Sequence, residues 1–304
     1  MKGATIALIS CALLALEPIF SKMLLQRMSP LAIVTVYSIL GAVILVFILE
    51  IERKMREFGK MTGVEVTGLV ALGLISGVSA QLLFVSGLKH TFATNAILLS
   101  RVNSLLIAFF GVLFLKEKIT VNHVVGALLM ITGVYYITTE GLSVSVNFSG
   151  GDIFILAAAT CWATGNIVMK KYLCRIPPEI ISTTRFSVAG IVLIFFTSSE
   201  IAAVEWSMEV IKPLLGIVFL VVIGGSILWY TAFEHTTATT IGCISLTMPL
   251  FGVIYAKLIL HEFLYTFQIM GGTLILLGLA IIEIHLSTLV DWEHRLLSRH
   301  WFHH

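Results

Sequence analysis

The sequence predicts an all-α membrane protein: ten transmembrane helices arranged as two inverted five-helix repeats. Three observations lead there. Of 304 residues, 58% are hydrophobic and only 12% charged, with a mean hydropathy of +1.01. A soluble domain carries about 25% charged residues, so this chain lacks the polar surface to coat a globule in water. The apolar residues also gather into runs long enough, at roughly 20 residues each, to cross about 30 Å of hydrocarbon. Finally, the second half of the chain resembles the first. Soluble enzymes and nucleic-acid binders are poor readings on composition alone.

In chain order the runs fall at 3–25, 30–50, 64–88, 92–115, 120–139, 152–173, 178–199, 210–233, 237–260 and 264–286. The first follows Lys2 like a signal peptide, but it passes through Glu17-Pro18 without a small-x-small cleavage site, so it reads as a retained helix. An even number of spans puts both termini on one side. That side collects Lys2, Arg53, Lys54, Arg56, Lys60, Lys116, Lys118, Lys170, Lys171, Arg175, Arg295 and Arg299, against Arg27, Lys89 and Lys212 opposite. The positive-inside rule then makes the termini cytoplasmic, in a cell or plasma membrane. Residues 287–304 place Trp292, Leu296 and Trp301 among Arg295, Arg299 and four histidines, which fits an amphipathic tail on headgroups. Cys11, Cys161, Cys174 and Cys243 lie in or beside apolar runs and read as small hydrophobes.

The repeat is visible residue by residue. At an offset of 148, Lys22 meets Lys170, Arg27 meets Arg175, Pro30 meets Pro178 and Thr35 meets Thr183. At an offset of 145, Ser100 meets Ser245, Glu117 meets Glu262, Gly126 meets Gly271 and Gly133 meets Gly278. The halves are 1–143 and 150–286. Five spans is an odd number, so the second copy enters the membrane inverted, as in many carriers that rock about a midplane site.

Cys161-Trp162-Ala163-Thr164-Gly165-Asn166-Ile167-Val168-Met169-Lys170 resembles the opening helix of an EamA domain of the drug/metabolite transporter superfamily. Leu113-Phe114-Leu115-Lys116-Glu117 and Leu260-His261-Glu262 resemble its glutamate after the fourth span, and Pro249 resembles its fourth-span proline. The first half departs from the pattern: Glu17-Pro18 stands for Gly165-Asn166, Leu14 for Trp162 and Ser104 for Pro249. The resemblance implies a carrier of small metabolites, commonly an exporter of amino acids or related compounds.

Candidate binding residues are polar groups at membrane depth, where a charge costs about 2.5–3.5 kcal/mol on insertion scales. Arg101 sits near the middle of the fourth span with Ser100, Asn103 and Ser104 beside it, a polar arc suited to cargo or gating. Glu17 shares a stripe with Ser10, Leu14 and Ser21, and Pro18 predicts a kink beside it. Three roles stay open for Glu17: a salt bridge to Arg101, a contact to a cationic cargo group, or proton coupling. With Arg101 it would bind the two ends of a zwitterion. Arg185, whose repeat partner is Tyr37, reads as a snorkelling or structural residue ahead of a ligand contact. Lys22 and Lys170 read as interfacial anchors, and Glu117 and Glu262 as structural carboxylates at helix starts. Trp162, Asn166, Trp229, Tyr230 and Gln81 (the repeat partner of Ser226) are candidates for a cavity wall, with plain packing equally open.

No diphosphate-binding aspartate pair, His-Glu-x-x-His, Gly-x-Ser-x-Gly or phosphate loop occurs. No enzyme activity, cofactor or metal is expected. The expected partners are a small-molecule substrate, the lipid bilayer, and a proton or counter-substrate, with no nucleic acid. The alternatives are a quaternary-amine carrier and, from another class, a membrane-embedded enzyme or lipid-handling protein.

Overall fold

The computed structural model describes residues 2–115, 121–138, 150–173, 175–235, 247–278 and 280–281, and every regular element among them is helical. Six helices are long and apolar enough to cross a membrane: Thr5–Leu24, Pro30–Ile51, Gly63–His90, Gly150–Met169, Glu179–Thr197 and Met208–Trp229. Val124–Ile137, Met248–Ile259 and Thr266–Gly278 are shorter apolar helices.

The first span is not one rod. Helix α1 (Lys2–Leu14) gives way to α2 (Glu17–Leu24). Pro18 has no N–H to offer the carbonyl of Leu14, so the ladder passes from Ala15 N→Cys11 O at 3.0 Å to Phe20 N→Leu16 O at 3.0 Å. Helix α3 (Pro30–Ile51) opens with Pro30 in its first turn and Ser29 as N-cap, whose Oγ accepts from Ala32 N at 3.1 Å. The third span is α4 (Gly63–Leu72), a π-helical segment Gly73–Ser79, and α5 (Ala80–His90). Ser79 Oγ donates to Leu74 O, five residues back, at 3.1 Å, the spacing the wider turn creates.

The expected fourth span, 92–115, is also interrupted. It consists of α6 (Ala93–Leu99) and α7 (Val102–Leu115), parted at Ser100-Arg101. There follow α8 (Val121–Thr138), the unbroken α9 (Gly150–Tyr172), and α10 (Pro178–Ala202). Next come α11 (Met208–Gly216), a second π-helical segment Ile217–Gly225, and α12 (Ser226–His235). Helices α13 (Met248–Ile259) and α14 (Thr266–Gly278) complete the described chain. The first part of the expected ninth span, the end of the tenth, the tail 287–304, Cys174, Cys243 and Glu117 lie outside the described residues.

The main core mixes both halves: Ile19, Ile33, Tyr37, Phe84 and Leu99 join Ile155, Phe186, Leu193 and Ile217. Outside it stand Phe47, Phe195 and Phe196, 65%, 79% and 70% exposed, an apolar coat that suits acyl chains and not water. Helices α8 and α14 cross on glycine. A Cβ on Gly133 would fall 2.5 Å from the carbonyl oxygen of Gly271, and one on Gly278 2.5 Å from that of Gly126. Only hydrogen fits there.

Candidate functional site

Two polar groups sit inside the bundle, each at a place where a helix is interrupted. The first surrounds Glu17 at the start of α2. Gln81, two residues beyond the π-helical segment of the third span, brings its side-chain amide to Glu17, and Arg185 of α10 is its charged neighbour. Tyr37 of α3 feels both charges. The arginine stem lies along Gly77, where a Cβ would come within 3.2 Å of its Cγ, and the guanidinium covers Phe186 with its carbon 4.7 Å from the ring centre. Phe186 in turn meets Tyr37 edge to face at 6.4 Å. Arg185 therefore stands beside Glu17, where a salt bridge to Arg101 is one expectation; of its two expected roles, snorkelling or inter-repeat structural, these neighbours in the first half fit the second.

The second group surrounds the break between α6 and α7. Ser100 is buried and donates to Ile97 O at 2.8 Å, and Arg101 reaches back to Ser100 Oγ at 3.4 Å. Arg101 is half-buried and within electrostatic range of Cys11 in α1, whose thiol engages Thr247 just before α13. Cys11 precedes Glu17 by six residues, about 9 Å along a helix axis. The two groups thus lie at different depths.

The remaining candidates are spread out. Trp162 packs on Phe84 with ring centres 5.2 Å apart, and Asn166 donates to the Trp162 carbonyl at 2.8 Å, one turn back on α9. Trp229 packs against Ala7 and Ala232, between α1 and α12. The side chains of Tyr230, Ser104 and Lys170 lie outside the described residues. Ser226, the counterpart of Gln81, borders a cavity of about 190 Å³ with Leu45, Glu52, Lys54, Glu179 and Thr183. Lys54 bridges Glu52 at 2.9 Å and Glu179 at 3.1 Å at that cavity, and these bonds, Glu52 foremost, hold its ammonium above the ordinary lysine range.

Two residues read as peripheral form a clamp. Lys22 Nζ donates to the carbonyls of Leu88 and Thr91 at 2.5 Å each, at the end of α5. Glu262 accepts from the amides of Ala93 at 2.7 Å and Thr94 at 3.0 Å, at the start of α6. The sequence reading gave Glu262 to the helix that follows it; the helix it caps is α6, in the other half. Signs are correct at both ends, a cation on free carbonyls and an anion on free amides.

Sequence reasoning pairs Tyr37 with Arg185 through the 148-residue offset but does not place them beside Glu17, and it misses both π-helical segments. Glycines at 73 and 77 and at 216, 224 and 225 are the only local trace of the latter.

A model of the EamA-like transporter family matches residues 1–139 and again 149–284. An uncharacterized transporter of Methanothermobacter thermautotrophicus is 30% identical over 278 residues, covering 86% of this chain and 80% of that protein. A probable amino-acid metabolite efflux pump of Escherichia coli is 29% identical over 229 residues, covering 67% of this chain and 77% of the pump. One solved crystal structure shares the fold with a TM-score of 0.65 at 14% identity, over 95% of this chain and 98% of its own.

Proposed function

Because the chain belongs to the EamA-like transporter family of the drug/metabolite transporter superfamily, we propose that it is a secondary carrier working by alternating access. Its cargo is small polar or amphipathic metabolites, amino-acid-like compounds foremost, and its direction is export. The observation that carries this reading is that Glu17 and Arg101 both stand at interruptions of apolar helices inside the bundle. Carriers place discontinuous helices and their charges where cargo binds. The name of the Escherichia coli relative agrees with the cargo class.

Two inverted five-helix repeats, 1–143 and 150–286, are supported by contacts that exchange under the repeat offsets. Gly133 on Gly271 becomes Gly278 on Gly126, and Gly41 on Val222 becomes Ala189 on Gly77, at 2.7 and 3.4 Å from the respective glycine Cβ positions. Ten spans with cytoplasmic termini rest on the run count and the positive-inside rule, and the alternation of sides around the first three spans and their second-half counterparts is supported by pairs that join turns on matching sides. Arg27 pairs with Glu209, Ser29 with Glu200, and Lys54 with Glu179. Cargo contacts are assigned to Glu17, Gln81, Ser100, Arg101, Trp162, Asn166, Trp229 and Tyr230, with Glu17 the candidate for proton coupling. A quaternary-amine carrier is the alternative, favoured by Trp162 and Trp229 as aromatic walls and opposed by the positive charge of Arg101.

The test is flux in proteoliposomes with a panel of labelled amino acids at two pH values. Saturable flux above protein-free liposomes is expected, lowered by Glu17→Gln and by Arg101→Ala. An absence of saturable flux for every small metabolite offered would falsify the carrier reading.

A further inference from the structure

Arg185 is unusual among the interior charges. It lies among α3, the π-helical segment of the third span and α2, and no ion pair of 4 Å or less joins it to Glu17 among the described residues. Its Nε has no hydrogen-bond partner there either. Around it, Tyr37 is 1% exposed with an unpartnered hydroxyl, and Gln81 is 3% exposed with an unpartnered Oε1. A buried hydroxyl or amide without a partner is destabilising, and an unmatched charge more so. Such a cluster calls for a polar occupant between the charges.

The geometry assigns this cluster to a zwitterionic α-amino acid, its carboxylate on Arg185 and Tyr37 Oη and its ammonium on Glu17 and Gln81 Oε1. The donor and acceptor supply matches. A guanidinium takes a carboxylate in a two-pronged contact, and the phenol adds a third donor. Glu17 and Gln81 Oε1 are both acceptors, which an ammonium needs and a hydroxyl-only ligand would leave partly unfilled. The opposed charges lie on different halves, Glu17 on the first and Arg185 on the second. An occupant that bridges them therefore couples binding to the closing of one half on the other. This inference deepens the carrier reading and rests on it: it gives the anionic end of the cargo to Arg185.

The experiment is competition in proteoliposomes loaded with L-leucine, using 4-methylpentanoate, which lacks the amine, and isoamylamine, which lacks the carboxylate. Each missing charge-assisted contact weakens wild-type binding roughly tenfold or more. In Arg185→Met the preference for leucine over isoamylamine collapses toward unity, while the preference over 4-methylpentanoate remains. Glu17→Gln does the reverse. Tyr37→Phe, which removes a single oxygen, lowers the first preference several-fold and guards against misfolding of the charged variants. A leucine preference that survives Arg185→Met and Tyr37→Phe overturns the assignment. Flux of other metabolites without leucine recognition also overturns it and leaves the carrier reading standing; no saturable flux at all removes both.

Discussion

The opening helices of the two halves occupy equivalent places and are built differently. In the second half, α9 runs unbroken from Gly150 to Tyr172, and Gly165 brings its backbone so near Ser76 that a Cβ would lie 1.9 Å from that hydroxyl. In the first half the chain breaks after Leu14, and the residue equivalent to Gly165 is Glu17, facing Gln81 and Arg185. One position therefore closes a helix contact in one half and supplies a carboxylate in the other. The two halves align along these helices, whereas the carboxylate stands in the first half alone.

The most drastic way to break this contrast is to copy the carboxylate across. Gly165→Glu would force a charge into the contact with Ser76, at a cost of roughly 3–5 kcal/mol, and is expected to leave little folded protein by size-exclusion chromatography. A monodisperse variant melting like wild type would show that the two positions are interchangeable. Next comes the shared frame. Gly133→Ala pushes a methyl onto the Gly271 carbonyl and is expected to lower stability by about 1–3 kcal/mol, seen as a fall in melting temperature in detergent. Gly278→Ala should match it closely, and unequal losses would count against the exchange of contacts between halves.

Smaller is Glu262→Ala, which frees the amides of Ala93 and Thr94. A loss of about 0.5–2 kcal/mol is expected, with faster hydrogen exchange confined to the start of α6; unchanged exchange there would deny the cap. The smallest effect compares the two starts of the third span. Thr62 and Glu65 form a reciprocal capping box on α4, while Ser207, at the same place before α11, makes no side-chain cap bond. Thr62→Ala should fray its helix and Ser207→Ala should not. Bonds from the Thr62 backbone amide, then its hydroxyl, hold the Glu65 carboxyl below its usual range. Its contribution is therefore present above the unfolded value, about pH 4.3, and fades as pH falls through the lower folded value. Protection of the amides at residues 63–66, taken relative to their intrinsic exchange rates, should fall across that window and should be flat in Glu65→Gln.

Much of the frame was legible because apolar run length and the duplicated pattern depend only on local composition. The break at Glu17 was legible too, since Pro18 removes a particular N–H. The break at Ser100-Arg101 carries no proline or glycine, so nothing local announces it. The neighbours of Arg185 were not legible for a different reason. Which face of α10 turns inward depends on its packing against α3 through pairs such as Thr35 with Thr197, joined at 2.9 Å, and pairings that far apart leave no local periodicity. Glu262 shows the same limit: its chemistry could be read, but its target helix could not.

The π-helical segments at 73–79 and 217–225 mark where these helices can give. A π turn takes up one residue more than an α turn, so a helix can gain or lose a residue there while its ends stay in place. Shifted by 145 residues, the first segment falls at 218–224, inside the second. The Glu17-Pro18 break, by contrast, meets Gly165-Asn166 in the unbroken α9, so the wide turns stand at matching places in both halves and the carboxylate stands in one.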